Sequence, residues 1–206
     1  RDSTNWITNL SLHTDETPTE HGFVTALPYK DSFFISWLDG RNTLEKEDGS
    51  RGAMTLRAAE VSVNGKVSNE VVLDSSTCDC CQTTAAMTSN GPIVIYRDRT
   101  ENEIRDMSIV RNVAGKWTAP KTIYPDNWLI KGCPVNGPKA VSSGNDLAVA
   151  WFTAARNQPK VNLTFSNDGG LSFDDPIRID DATAIGRVDV LLLEKGIAIV
   201  SWMQME

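Results

Sequence analysis

Four stretches of this chain repeat one pattern: an alternating or apolar run, a short polar turn, and a second apolar run ending in an aromatic residue. Gly22–Leu27 is followed by Phe33–Trp37, Thr84–Met87 by Ile93–Tyr96, Pro138–Val141 by Leu147–Trp151, and Arg187–Leu191 by Ile197–Trp202. The closing aromatics Trp37, Tyr96, Trp151 and Trp202 recur every ~50–60 residues, a spacing that marks repeat folds. Short runs rich in Val, Ile and aromatics, bounded by Gly, Asn and Asp, predict strands. In three repeats a third strand follows, at Met54–Val63, Arg105–Arg111 and Val161–Phe165. Each leads through a turn, at Asn64-Gly65, Ala114-Gly115 or Asp168-Gly169-Gly170, to a short fourth strand. No segment carries a convincing helical period.

Four antiparallel strands per repeat predict an all-β fold, a β-propeller of four-stranded antiparallel blades. A β-sandwich is the rival, but it does not demand repetition at this period. The expected division of the single domain is the end of a preceding blade and a linker at 1–20, blades at 21–77, 78–132 and 133–185, and the first half of a further blade at 186–206. A propeller closes only as a full ring, because an open one leaves sheet edges and blade faces exposed. The chain starts in mid-pattern without a methionine. An incomplete set of about four blades, with the missing blades elsewhere in the same protein, is the expectation.

Composition narrows the partners. The formal charge of −7 argues against nucleic acid or an anionic membrane surface. No stretch approaches the ~18 apolar residues of a membrane span. The four cysteines are distributed unevenly: three crowd into Cys78-Asp79-Cys80-Cys81, and Cys133 stands apart in Gly132-Cys133-Pro134. An even count fits disulfides in an oxidising compartment, clustering fits a thiolate metal site, and free buried thiols remain a third reading. Because neighbouring strand residues alternate in direction, at most one of Cys80 and Cys81 is expected to face a given partner.

Ser166-Asn167-Asp168-Gly169-Gly170-Leu171-Ser172-Phe173 fits the Asp-box pattern S-x-D-x-G-x-x-[WF], in which Ser166, Asp168, Gly170 and Phe173 are structural. The aspartate caps a tight hairpin, glycine supplies positive φ, and the aromatic packs inward. Arg1–Trp6 looks like a degraded copy. With the stretches Thr17–Gly22, Trp37–Thr43, Cys78–Thr83, Tyr96–Arg99, Glu103–Asp106, Gly132–Pro138 and Gly186–Val190, the chain resembles bacterial sialidase-like propeller proteins (BNR-repeat, exo-α-sialidase-like) that carry a CxCC motif. The resemblance implies a sialidase-type propeller, six-bladed when complete, and a periplasmic or extracellular location. Fold alone does not give function.

In a propeller, first-strand starts and second-strand ends meet around one mouth. His21, Cys78–Gln82, Cys133–Asn136 and Arg187 fall at first-strand starts. Asp39–Arg41, Arg97–Arg99 and Thr153–Arg156 follow second strands. Sialidases hold a sialate carboxylate with three arginines, and the resemblance offers Arg41, Arg97 and Arg187, with Asp39, Asp98 and His21, as ligand-binding candidates for an anionic glycan or other small ligand. The alternative is that the arginines pair with Asp39, Asp98 and Asp189 to stitch blades together. No Arg-Ile-Pro motif and no tyrosine at the mouth complete a hydrolase, and no catalytic residue is assigned. Three readings stay open: a ligand-binding propeller, an exo-α-sialidase-type hydrolase, and a metal-binding or redox propeller. No cofactor is required except in the third reading, which puts Zn or Cu on Cys78, Cys80, Cys81, Cys133 and His21. Otherwise a bridge from Cys133 to the cluster is expected.

Overall fold

The computed structural model describes residues 10–181, 183–194 and 196–206; the expected degraded Asp-box at 1–6 lies outside them. The chain forms four antiparallel sheets in sequence order. The first contains β1 (His21–Tyr29), β2 (Ser32–Asp39), β3 (Thr55–Ser62) and β4 (Val67–Asp74). The second contains β5 (Thr84–Thr88), β6 (Gly91–Arg97) and β7 (Met107–Val113), with β8 (Lys116–Trp117) and β9 (Lys121–Tyr124) both paired to β7. Pro120, which lacks a ladder donor, falls where this outer strand breaks in two. The third contains β10 (Lys139–Ser143), β11 (Asp146–Thr153), β12 (Lys160–Ser166) and β13 (Ile177–Arg178), and the fourth β14 (Ala184–Glu194) and β15 (Ile197–Gln204). β14 starts two residues before the expected boundary at 186. No described helix is long and apolar enough to cross a membrane.

The uninterrupted apolar runs have a simple cause: the middle strands are buried on both faces. On β6, Val94 and Tyr96 pack toward Phe34, Leu38 and Leu56 of the first sheet. The alternate residues Ile93 and Ile95 pack toward Leu147, Val149 and Trp151 of the third. On β11, Ala148, Ala150 and Phe152 turn the other way, onto Ala184, Val188 and Val190. Trp37, Tyr96 and Trp151 are fully buried at equivalent places on second strands. Trp202 is partly covered because only one face of the fourth sheet is packed; Leu191, Leu193, Ile197 and Ile199 on that sheet are exposed. The first strands lie side by side in order, β1 by β5, β5 by β10 and β10 by β14.

The turn between β12 and β13 is built as its sequence requires. Ser166 Oγ donates to Asp168 Oδ1 (2.8 Å) and accepts from the Gly170 N–H (2.9 Å). Asp168 also accepts from the Ser172 N–H (2.9 Å) and hydroxyl (2.5 Å). Gly170 sits at φ 81°, where a Cβ would meet Ile109 Cδ1 at 2.6 Å. Phe173 packs against the core between the second and third sheets. Burial alone would raise the Asp168 pKa, but the hydrogen bonds from Ser172 and Ser166 outweigh it and pull it down to about 2. A depressed carboxylate stabilises the fold above its unfolded pKa near ~4, and that contribution is lost as pH falls toward 2. Asp168→Ala is therefore expected to cost about 1–2 kcal/mol at pH 7. Urea midpoints should show the gap closing by pH 2–3.

Candidate functional site

Strand pairing brings the singled-out polar residues to one end of the sheets. His21 pairs with Asp39 across β1 and β2. The Cys78 N–H donates to the carbonyl of Arg97 at the end of β6 (3.1 Å). Arg97 in turn reaches the Asn136 and Phe152 carbonyls, and the Arg187 N–H donates to Asn136 Oδ1 (2.9 Å). Asp168 lies at the opposite end, where the Gly169 N–H bonds Asn145 in the β10–β11 turn (3.0 Å).

The three arginines do not form an open carboxylate clamp. Arg97 is 2% exposed. It donates to the carbonyls of Asn136 (3.0 and 2.9 Å), Arg105 (2.7 Å) and Phe152 (2.7 Å), and its guanidinium carbon lies 4.7 Å from the Trp128 ring centre. Its place follows from strand alternation, since Ile93, Ile95 and Arg97 share the face turned to the third sheet. Arg41 spends its fork on Asp39 (2.7 and 2.7 Å) and also reaches Glu70 (3.1 Å). Arg187 is the most exposed of the three and donates to the Val135 carbonyl (2.8 Å). Of the expected stitching pairs only Arg41–Asp39 forms. Asp98 accepts from Ser108 (2.7 Å) and the Arg99 N–H (2.6 Å), and Asp189 from the Val190 N–H (2.9 Å). Carbonyls replace the carboxylates because Arg97 is aimed across the sheet interface, where backbone is the nearest acceptor. Tyr96 is buried and donates its hydroxyl to Asp74.

The cysteines converge. Residues 79–81 form a turn ahead of β5, so strand alternation does not apply, and both Cys80 and Cys81 face Cys78. The sulfurs lie 3.7 Å apart for Cys78–Cys80 and 3.5 Å for Cys78–Cys81. Cys133 comes from the next connection: its sulfur, Cys80 Sγ and an Asp79 oxygen lie within 4.8 Å of one another. One of the contacts here joins the two cysteine loops, and the others brace the 133–137 loop internally and against β14. Gln82 Oε1 accepts from the Gly137 N–H (3.1 Å). Asn136 donates to the Pro134 (3.1 Å) and Ile185 (3.2 Å) carbonyls. All four cysteines are free thiols here, so the expected bridge is not closed although Cys133 sits beside the cluster.

Arg105, a residue the sequence did not single out as a site, completes the cluster. It is 4% exposed, donates to Cys78 Sγ (3.3 Å) and is paired with Glu103 (2.8 Å). It lies two residues before β7, in the connection from β6. Cys78 Sγ lies within hydrogen-bond reach of Cys81 Sγ and also accepts from Arg105, which can only donate. The Cys81 contact, with help from the Cys80 N–H and Arg105, brings the Cys78 pKa down to about 5 against the effect of burial. Burial and the sulfur of Cys133 push Cys80 up to about 12. Cys81 is raised as the proton-bearing partner of Cys78. Within the trio, Cys78 is therefore the sulfur whose surroundings most favour the thiolate form.

His21 is not part of this cluster. It groups with His13 and Asp15, ahead of β1. Between the second and third sheets, burial and the neighbouring Asp106 raise Asp126 to about 6 even though it accepts from Trp151 Nε1 (2.7 Å). Its proton stabilises the fold below the unfolded pKa near ~4, and that support disappears as pH rises through 6. Asp126→Asn keeps an acceptor for Trp151, so it should raise stability at pH 7.5 by about 1–2 kcal/mol relative to its effect at pH 4. Thermal melts of both chains at the two pH values measure this.

No family model matches this chain, and no curated protein matches its sequence.

Proposed function

We propose that the four sheets are consecutive blades of an incomplete sialidase-like β-propeller, and that its working feature is a soft-metal site made by Cys78, Cys80, Cys81 and Cys133. Neighbouring first strands, three meanders followed by a hairpin and the Asp-box turn support the propeller. The half-covered apolar face of β14–β15 fits a further blade packed against it.

One observation carries the metal reading: the sulfur separations of 3.7 and 3.5 Å around Cys78. Two thiolates bound tetrahedrally to one ion at about 2.3 Å stand about 3.8 Å apart, so small adjustments close the site. Cys133, which is grouped with Cys80 and Asp79 rather than with the whole trio, would supply a fourth sulfur only if its loop moves inward. Arg97 and Arg105 offset the negative charge that three or four thiolates bring. The donor set suits Zn(II) or Cu(I). Arg41 and Arg97 are committed to Asp39 and to backbone carbonyls, so the anionic-glycan and exo-α-sialidase readings have less geometric support.

The test is titration of the reduced protein with Co(II), then Zn(II). A thiolate-to-cobalt charge-transfer band, saturating at one ion per chain, displaced by zinc and lost in Cys78→Ser, is expected. No band, with all four thiols still open to a thiol reagent in excess zinc, would refute the site. So would isolation of a Cys80–Cys133 disulfide that forms without metal and is insensitive to it.

A further inference from the structure

A second cluster of ligand atoms lies where the N-terminal segment folds over the start of β1. His13 Nδ1 is 2.7 Å from Asp15 Oδ2, and His21 Nε2 is 3.3 Å from the same oxygen. The two imidazoles are stacked, with centres 3.8 Å apart and planes 5° apart, so one ring must turn about its side-chain torsions before both in-plane lone pairs can meet a single ion. All three atoms are buried, and none is aligned for a hydrogen bond despite these short separations. Buried polar atoms left without partners are rare in folded proteins and call for a reason.

The surroundings prepare these atoms as ligands. His21 Nδ1 meets the Thr19 carbonyl at 3.0 Å. A carbonyl only accepts, so Nδ1 carries a proton, and in the neutral ring this leaves Nε2 as the ligand nitrogen, the arrangement that second-shell groups impose on metal-binding histidines. Asp15 is oriented in the same way: Thr17 donates its N–H (3.1 Å) and its hydroxyl to Oδ1, leaving Oδ2 for the cluster. Asp39 stands 3.6 Å from His21 Nε2, but its oxygens are taken by Trp37 and Arg41. Arg41 approaches Asp15 at 3.5 Å, and Arg57 pairs with Glu70 at 2.9 Å. The carboxylates Asp15, Asp39 and Glu70 thus face two guanidiniums, and a cation offsets the remaining negative charge. A cavity of about 400 Å³, lined by Leu10, Leu12, Val24 and Trp37 among others, adjoins both histidines.

The geometry points to a second metal site, in which His13 Nδ1, Asp15 Oδ2 and His21 Nε2 bind one divalent first-row transition ion and leave its remaining positions open to the adjoining cavity. Two imidazoles and one carboxylate suit Fe(II), Co(II), Ni(II) or Zn(II), whereas the thiol cluster selects softer ions. Three protein ligands with open positions are the pattern of sites that bind a small exogenous ligand rather than of closed structural sites. The inference is independent of the thiolate reading, since the two clusters share no residue.

Co(II) titration of two variants separates them. Cys78→Ser/Cys80→Ser/Cys81→Ser, which removes the whole trio, is expected to keep one ion per chain, seen as weak visible d–d bands without thiolate charge transfer. His13→Gln/His21→Gln should lose those bands and keep the charge-transfer band. If the histidine variant binds as many ions as the unmodified chain, the proposal fails. It fails equally if the folded cysteine variant binds none. Should the histidine variant not fold, the ring-proton resonances of His13 and His21 in the unmodified chain decide. Paramagnetic shifts of both with added Co(II) support the site, and unchanged resonances overturn it.

Discussion

Replacing Arg97 with methionine should destabilise the protein by about 3–5 kcal/mol, because it strands buried carbonyls that the guanidinium now satisfies. The Asn136, Arg105 and Phe152 carbonyls all accept from this one side chain. They belong to the 133–137 loop, the second sheet and the third sheet, so Arg97 ties three segments together. Methionine restores much of the apolar volume against Trp128 and so isolates the loss of donors from the loss of packing. Lysine should recover only part of the loss, since one ammonium cannot reproduce a planar fork spanning three acceptors. Urea denaturation of the three chains gives the comparison. A penalty below about 1 kcal/mol for Arg97→Met would mean these carbonyls find water, and that the residue is not the structural tie described here.

Gly137→Ala should be nearly as damaging, at about 3 kcal/mol, and should also weaken metal binding by the thiols. A Cβ on Gly137 would sit 2.0 Å from the Gln82 carbonyl oxygen and 2.7 Å from its carbon. Backbone cannot rotate away as a side-chain end can, so the 78–82 and 133–137 loops would have to separate. That separation moves Cys133 from Cys80. Gly132→Ala is the control: its Cβ would meet nothing closer than Ile130 Cγ1 at 4.0 Å, although it lies next to Cys133. Equal losses of stability and zinc affinity in both variants would contradict the role given to the Gln82–Gly137 contact.

The strands were legible because their burial is two-sided. Ile93–Tyr96 and Leu147–Trp151 read as unbroken apolar runs, Phe33–Trp37 is broken only by Ser36, and each forms part of a second strand. The Asp-box turn was equally readable, since Ser166, Asp168 and Gly170 act within a few residues of one another. The site was harder to read. Arg97 looked like a ligand-binding residue because it ends a strand at the mouth, yet its parity with Ile93 and Ile95 turns it into the sheet interface. Arg105 gives no such signal, because it lies in the connection ahead of β7, where both it and Asp106 are buried. His13 was invisible as a partner of His21 because the segment before β1 has no regular period, and only its fold over Asp39 brings the rings together. The nearness of Cys133 to the cluster follows from repeat geometry, but the approach of both Cys80 and Cys81 to Cys78 depends on a local turn that alternation rules do not describe.

The central claim is that the four cysteines hold a soft metal. Zinc-edge X-ray absorption on reduced protein loaded with one equivalent of Zn(II) tests it most directly. The account predicts three or four sulfur neighbours at about 2.3 Å. A shell of only nitrogen and oxygen at about 2.0–2.2 Å would place the ion elsewhere and contradict it.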